Sequence, residues 1–327
     1  MTSAIPPSTP TRHIEIKASR LRVAYDDFVA LHTESLDLRG NIISVIGHNG
    51  AGKSTFIKSI LGLLKPSAGT LQTWNVEPGA RYPLVPEQHM AFCPEIGAVF
   101  ADIPVESYIK LWCRIKHRDG SYYKKHGARY LEALQIGPLL KKLGRELSKG
   151  QRRRVQTAIG FLVQPKLFLF DEPFDGLDVQ KTSELADIIR QESATTSFII
   201  SSHRMDVVER LSDMLVVLKE GNFIAAGSVE EVCRNLCGRS ALIGNIEDPA
   251  QVLDTLRTRY PNCFLSRIGT QVSITGTSFR LKGLQNAVAE AGARDAKIDE
   301  VPPSLVDAMN FHLKDMRSQG RPESNPS

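Results

Sequence analysis

One loop of this sequence has the residue types needed to hold a chain of phosphates. It consists of Gly47, His48, Asn49, Gly50, Ala51, Gly52, Lys53 and Ser54, and it fits the pattern G-x-x-x-x-G-K-[ST] in full. Its glycines let the backbone pass close to a phosphate, and its N–H groups supply partial positive charge. We expect Lys53 to reach the terminal phosphates and the Ser54 hydroxyl to bind Mg²⁺.

Two carboxylates follow an apolar run and complement this loop. Leu167 to Phe170 is predicted to be a buried strand that ends at Asp171 and Glu172. Asp171 is placed to hold Mg²⁺, directly or through water, and Glu172 to polarise an attacking water. An Asp-Glu pair after a strand is more often a solvated turn, but the upstream phosphate loop favours the functional interpretation.

Alternating strands and helices must position these groups. Asn41 to Ile46 is predicted to be a buried strand that leads into the loop, and Lys53 to Leu64 a helix that follows it. A helix over about 151–163 precedes the carboxylate strand, and Ser197 to Ser201 is another buried strand. This alternation is typical of an α/β layered core.

Composition excludes several classes of protein. The chain has 327 residues, 42% of them hydrophobic and 24% charged, which excludes collagen-like, coiled-coil and wholly disordered proteins. The 41 basic and 36 acidic residues give a net charge of +5, which does not by itself indicate nucleic acid. No apolar stretch approaches the roughly 18 residues of a membrane span, and no secretory signal is evident. The five cysteines are expected to be reduced thiols.

The sequence predicts two domains between short disordered tails. The tails are residues 1–11 and 318–327, both rich in polar residues and proline. The first domain spans 12–237 and contains a basic, helical segment at about 101–150. The second spans 240–317, where the order βαββαβ favours a small ferredoxin-like α+β domain.

Four motifs, in order along the chain, resemble those of an ATP-binding cassette (ABC) subunit. They are the loop extended to Thr55, Leu147-Ser148-Lys149-Gly150-Gln151, Asp171-Glu172-Pro173 and His203. The resemblance covers roughly residues 12–237. It implies a P-loop NTPase core with an antiparallel β subdomain and a helical insert, and ATP with Mg²⁺ as ligands.

The resemblance also implies roles for residues outside the phosphate loop. Tyr25 resembles the aromatic residue that stacks on adenine, although a tyrosine there is also compatible with an ordinary strand. Ser148, Gly150 and Gln151 head a helix and would face the γ-phosphate of an ATP held by a second cassette. Residues 175–178 resemble the D-loop, and His203 resembles the switch histidine that contacts the γ-phosphate.

The sequence departs from the family pattern at two places. Glu95 follows the predicted strand Met90 to Cys93, where the family usually has glutamine, and Lys149 stands where glycine is common. A glutamate there can bind Mg²⁺ and accept a hydrogen bond from the attacking water, so Glu95 is a candidate catalytic and metal-binding residue. It cannot donate a hydrogen bond, and it adds negative charge near a triphosphate. An altered hydrolysis rate or coupling is therefore expected.

The resemblance implies partners as well. We expect a second ABC subunit, most simply a second copy of this chain, and an integral-membrane permease encoded as a separate chain; no nucleic acid is expected. The protein would be cytoplasmic and peripheral on the inner face of the plasma membrane, where the basic helical segment would be attracted to anionic headgroups or would simply be a solvated face. Residues 303–309, PSLVDAM, resemble the ending of exporter-type cassettes except at Val306 and Met309.

Three functional hypotheses follow. The first is an ATPase subunit that powers export through a separate permease. The second is a soluble ABC-type switch that acts on nucleic acid or the ribosome, which usually has long coiled coils or two cassettes in one chain. The third is a regulatory binder without hydrolysis, indicated only by Glu95 and disfavoured by Glu172 and His203.

Overall fold

The strands and helices of the chain belong to two compact units, residues up to Ala226 and residues from Gly227 onward. The computed structural model describes residues 12–116, 119 and 121–319, with residues 313–319 described by their backbone alone. The first unit contains one ten-stranded sheet. Its strands are β1 (His13–Tyr25), β2 (Phe28–Gly40), β3 (Ile42–Ile46), β4 (Ala68–Glu77), β5 (Ala80–Pro83), β6 (Met90–Cys93), β7 (Leu167–Asp171), β8 (Ser197–Ser201), β9 (Met214–Lys219) and β10 (Asn222–Gly227).

Helices cover the sheet of the first unit and form its apolar cores. They are α1 (Lys53–Ile60), α2 (Pro86–His89), α3 (Val105–Ile115), α4 (Tyr122–His126), α5 (Ala128–Ala133), α6 (Lys149–Leu162), α7 (Val179–Glu192) and α8 (Met205–Leu211). One core joins α1 to β1, β2 and β3, and a second joins the segment from α3 to α6 to the opposite side chains of β7 and β8.

Three adjacent parallel strands position the predicted site. β8 lies between β3 and β7 and pairs with both in parallel register. Every residue of these three strands is buried, which explains their continuous apolar runs. Because parallel strands end at the same edge of a sheet, the segments that follow them converge there.

The other end of the sheet is antiparallel. β1 pairs with β2 and β4, and β4 pairs with β5, all in antiparallel register. The β1–β2 connection is a tight hairpin in which Tyr25 pairs with Phe28. The predicted antiparallel β subdomain is therefore present, and strands β10 and β9 separate it from β3.

The helix after the phosphate loop is shorter than predicted. α1 ends at Ile60 rather than at Leu64, because Gly62 adopts a left-handed conformation with φ of 69°. The N–H of Gly62 donates to Ser59 O (3.0 Å) and that of Leu63 to Lys58 O (2.9 Å), which is a Schellman ending.

The basic segment predicted to be helical contains short helices. α3, α4 and α5 lie in it, together with 3₁₀ turns at Gly137–Leu139 and Gly144–Glu146. In the described part of the segment, the one β interaction is an isolated bridge between Pro104 and Leu143. The segment packs through Tyr123, Tyr130 and their neighbours against α6, which connects it to the sheet.

The second unit contains a four-stranded antiparallel sheet and has its own core. Its elements are α9 (Val229–Cys237), β11 (Arg239–Gly244), α10 (Pro249–Arg259), β12 (Phe264–Ile268), β13 (Gln271–Gly276), α11 (Leu281–Glu290), β14 (Lys297–Val301) and α12 (Leu305–Gln319). From β11 to β14 they follow the order βαββαβ, and the strand order is β12-β13-β11-β14.

The division between the units falls earlier than the predicted boundary near 237–240. α9 belongs with the second unit, where it packs against α12. α12 continues to Gln319, the second residue of the predicted C-terminal tail. The predicted tail at 1–11 and residues 320–327 lie outside the described residues. No helix within the described ranges is long and apolar enough to cross a membrane. All five cysteines are buried, and none forms a disulfide.

Gly160 provides a test of the packing between α6 and the sheet. A Cβ added there would lie 1.9 Å from Cζ of the fully buried Phe168. We expect Gly160→Ala to lower the free energy of unfolding by about 1–3 kcal/mol, because the core must shift to admit a methyl group. Urea unfolding of the variant and the wild type measures the difference.

Gly150→Ala on the same helix is the matched control. A Cβ at Gly150 would meet no atom within 4 Å, so this variant should be as stable as the wild type or slightly more stable. Equal unfolding free energies for Gly160→Ala and the wild type would contradict the close packing described here.

Candidate functional site

The predicted phosphate loop connects the buried strand β3 to helix α1. Gly50 and Gly52 adopt φ values of 81° and 103°, which residues with side chains rarely adopt. A Cβ on Gly52 would also lie 2.9 Å from the carbonyl oxygen of Ala30. The loop therefore requires glycine at these positions to bring its backbone N–H groups and the start of α1 to one point.

Lys53 is the first residue of α1, and its ammonium group lies inside the loop. Nζ donates to the carbonyl oxygens of Gly47 (2.9 Å) and His48 (3.3 Å), and it lies 3.3 Å from Oε1 of Glu172. The residue is only 6% exposed. The side chain is thus held at the position where a phosphate bound by the loop would meet it.

The two predicted carboxylates are positioned by a serine that sequence reasoning did not identify. Ser201 Oγ donates to Oδ1 of Asp171 (2.6 Å) and accepts from the backbone N–H of Glu172 (2.9 Å). Ser201 is the last residue of β8, next to the end of β7. The contacts of Ser201 depend on the pairing of β8 with β7, which the sequence does not specify. Its position two residues before His203 is the one feature of the sequence that could have indicated it.

Glu172 and His203 contact each other. Oε2 of Glu172 accepts from the backbone N–H of His203 (3.2 Å) and lies 3.0 Å from its Nδ1. Glu172 has a φ of 51°, uncommon for a residue with a side chain, and its own N–H is held by Ser201. The imidazole is half-exposed, whereas the carboxylate is buried between Lys53 and His203.

A cleft of about 390 Å³ is lined by most of the residues that were predicted to bind the nucleotide. It is lined by the loop from Asn49 to Thr55 together with Tyr25, Phe28, Ala30, Glu95 and Glu172. Tyr25 and Phe28 are 42% and 69% exposed, so both rings are available at the cleft. Phe28 was not predicted as a site residue, although its proximity to Tyr25 in the sequence could have indicated it.

The predicted signature residues lie at the start of α6 and do not line this cleft. Ser148 caps α6: its Oγ accepts from Gln151 N (3.2 Å), and Gln151 Oε1 accepts from Ser148 N (3.1 Å). Ser148 and Gly150 are exposed, and none of these three residues lines the cleft described above. The hydroxyl of Ser148 is therefore outside the cleft of its own chain, although the neighbouring Lys149 contacts the cleft residue Glu95.

The segment predicted as the D-loop leads into α7. Asp178 caps this helix by accepting from Lys181 N (2.8 Å), and this hydrogen bond lowers the pKa of Asp178.

Cys93 lies at the end of β6, two residues before Glu95. Burial raises the pKa of Cys93 to about 11, so this thiol stays protonated at neutral pH.

The donors present fit Mg²⁺ bound together with a phosphate chain. Among the described residues there is no cluster of three or more His, Cys, Asp or Glu side chains that could hold a metal alone. Mg²⁺ is usually held by one or two carboxylates and by substrate phosphates, so the hydroxyl of Ser54 and the carboxylate of Asp171 are a suitable set. Glu95 adds a third oxygen donor at the same cleft.

Comparisons with known proteins agree with these motifs. Residues 32–175 match the family model described as ABC transporter. The sulfate/thiosulfate import ATP-binding protein CysA of Mesorhizobium japonicum is 28% identical over 228 residues, which cover 67% of this chain. The match covers 65% of that relative, just under two thirds of its length.

Solved structures agree in fold. One described as the ATP binding subunit of an ABC transporter is 27% identical with a TM-score of 0.60, over 68% of this chain and 92% of that one. A bacterial Atm1-family ABC exporter with ATP bound has a TM-score of 0.58 at 22% identity, over 71% of this chain and 42% of its own. The predicted P-loop fold is confirmed, and the match over residues 32–175 agrees with the predicted ABC family and ATPase class. The roles of individual residues stay predictions.

Lys53→Ala should weaken ATP binding. Loss of a charge-assisted contact to phosphate corresponds to roughly 10- to 100-fold in Kd. Titration of the full chain with a fluorescent ATP analogue measures it. Lys58→Ala, on the same helix but outside the cleft, is the control and should bind as the wild type does. Unchanged affinity in Lys53→Ala would remove Lys53 from the phosphate site.

Glu172→Gln should retain ATP binding and lose hydrolysis. An amide cannot take a proton from water, and general-base catalysis contributes about 10²- to 10⁴-fold. Phosphate release under saturating MgATP, with nucleotide binding measured in parallel, gives both quantities. Hydrolysis at the wild-type rate would show that Glu172 is not the base.

Proposed function

We propose that this chain is the ATP-binding subunit of an ABC transporter, and that it hydrolyses MgATP as a pair of cassettes to power export through a separate membrane permease. The observation that carries this proposal is the separation of two predicted phosphate-contacting groups within one chain. The cleft holds Lys53, whereas Ser148 is exposed at the start of α6 and does not line the cleft. A second cassette would supply the missing helix start to each cleft.

In this proposal each of the following side chains has a defined role. Lys53 binds the β- and γ-phosphates, Glu172 takes the proton of the attacking water, and His203 holds Glu172 and reaches the γ-phosphate. Ser54 and Asp171 would hold Mg²⁺, which would supply positive charge to the phosphates. Tyr25 stacks on the base.

An apolar groove supports a membrane partner. It is lined by Leu61 and Leu63 after α1, by Trp112 and Ile115 of α3 and by Ile159 of α6, among others, and its volume is about 510 Å³. Leu63 is 65% exposed and Ile115 50% exposed, so the groove leaves apolar surface uncovered. The occupant we propose is a short amphipathic cytoplasmic segment of the permease, because it would contact both the helix that follows the phosphate loop and the helix that begins at Ser148.

Export is the finer part of the proposal and depends on the C-terminal resemblance. In the structure Pro303 and Ser304 precede α12, and Ser304 Oγ accepts from Asp307 N (3.1 Å) as a helix cap. Leu305 and Met309 are buried in the second unit. The similar proteins include both a sulfate importer and an exporter, so they favour neither direction.

A soluble switch that acts on nucleic acid or the ribosome is the alternative. Such proteins usually carry long coiled coils, whereas the longest helix in the described part of this chain is α12, with 15 residues. This observation favours the transport subunit.

Pairing through ATP is directly testable. We expect Glu172→Gln to form a dimer with saturating MgATP, because a bound but uncleaved γ-phosphate would keep both helix starts engaged. Adding Ser148→Arg should abolish the dimer while each chain still binds ATP. Light scattering after gel filtration gives the mass, and nucleotide retention gives the binding. A monomer under all these conditions would contradict the pairing of two identical chains.

A further inference from the structure

The two residues that depart from the ABC motif pattern contact each other. Nζ of Lys149 lies 3.5 Å from Oε1 of Glu95. Glu95 follows β6 and lines the nucleotide cleft, and Lys149 is the first residue of α6. Their side chains are 49% and 57% exposed, so the ion pair lies at the edge of the cleft.

The backbone around Glu95 is fixed to the same helix. The buried Arg153 donates to the carbonyl oxygen of Glu95 (2.6 Å), and the N–H of Ala98 donates to Oε1 of Gln156 (2.9 Å). A Cβ on Gly97 would lie 2.7 Å from Arg153 N, which shows how closely the segment lies on α6. These contacts hold Glu95 within reach of Lys149.

Without its partner, the charge of each side chain would be electrostatically unfavourable at its position. The carboxylate of Glu95 would repel a triphosphate bound in the same cleft. Lys149 places a positive charge at the N-terminal end of a helix, where the helix dipole favours negative charge. As an ion pair, the two side chains carry no net charge at the edge of the cleft.

We propose that Lys149 is a positioning residue that holds the Glu95 carboxylate and cancels its charge beside the bound triphosphate. The proposal deepens the function proposed above and depends on it. It explains how a cassette can carry a glutamate where the family usually has glutamine, since the compensating cation is supplied by the start of α6.

A double-mutant cycle on the full chain tests this coupling. Lys149→Gln should raise the KM for MgATP about three- to tenfold and leave kcat within about twofold, because the uncompensated carboxylate weakens binding of the substrate. In a Glu95→Gln background the same substitution should change KM by less than about twofold. Raising the ionic strength should reduce the difference between wild type and Lys149→Gln, because salt screens exposed charges.

The outcomes separate this proposal from the proposed function. Lys141→Gln, an exposed lysine in a turn of the helical segment, is the control for loss of one positive charge and should have the wild-type KM. If the effects of Lys149→Gln and Glu95→Gln simply multiply in an active enzyme, the coupling is overturned and the ATPase function stands. If the wild type neither binds nor hydrolyses MgATP, both proposals fail. Thermal melting of each variant excludes an effect of unfolding.

Discussion

Burial of the Lys53 ammonium group is the constraint on which the rest of the cleft depends. An unpaired charge at this depth costs several kcal/mol, so it needs close acceptors. Two loop carbonyls and the carboxylate of Glu172 supply them. The same acceptors fix the path of the loop and the position of Glu172. A triphosphate in the cleft would compete with Glu172 for this one cation, which ties binding of the substrate to the placement of the base.

The chemistry of the site was largely predictable from the sequence. Glycines around a lysine and carboxylates after an apolar run indicate what each group can do, and buried parallel strands indicate that they meet. Lys53, Glu172 and His203 do lie together, while their roles stay predictions. Ser201 was missed because its partners depend on the order of strands in the sheet, which local spacing does not specify. Phe28 was missed because its availability depends on the hairpin that places it next to Tyr25.

Element ends were less predictable than element types. The end of α1 is set by one glycine, Gly62, whose left-handed conformation outweighs the apolar residues that follow it. The boundary between the units is set by packing of α9 against α12, two helices far apart in sequence. Similarly, the residues from Pro303 to Asp307 that resemble an exporter motif also form a helix cap, so their identity has a structural cause as well.

The cap at the start of α6 leaves one group of Ser148 uncommitted. Its oxygen already accepts from the Gln151 amide, while the hydroxyl hydrogen remains free to turn outward. The hydroxyl can donate this hydrogen in a hydrogen bond to an anion while its oxygen still caps the first turn of α6. Binding of an anion at Ser148 therefore adds a hydrogen bond and does not replace the one that caps the helix. The stability of the fold and the binding of a ligand consequently make no opposing demands on this side chain.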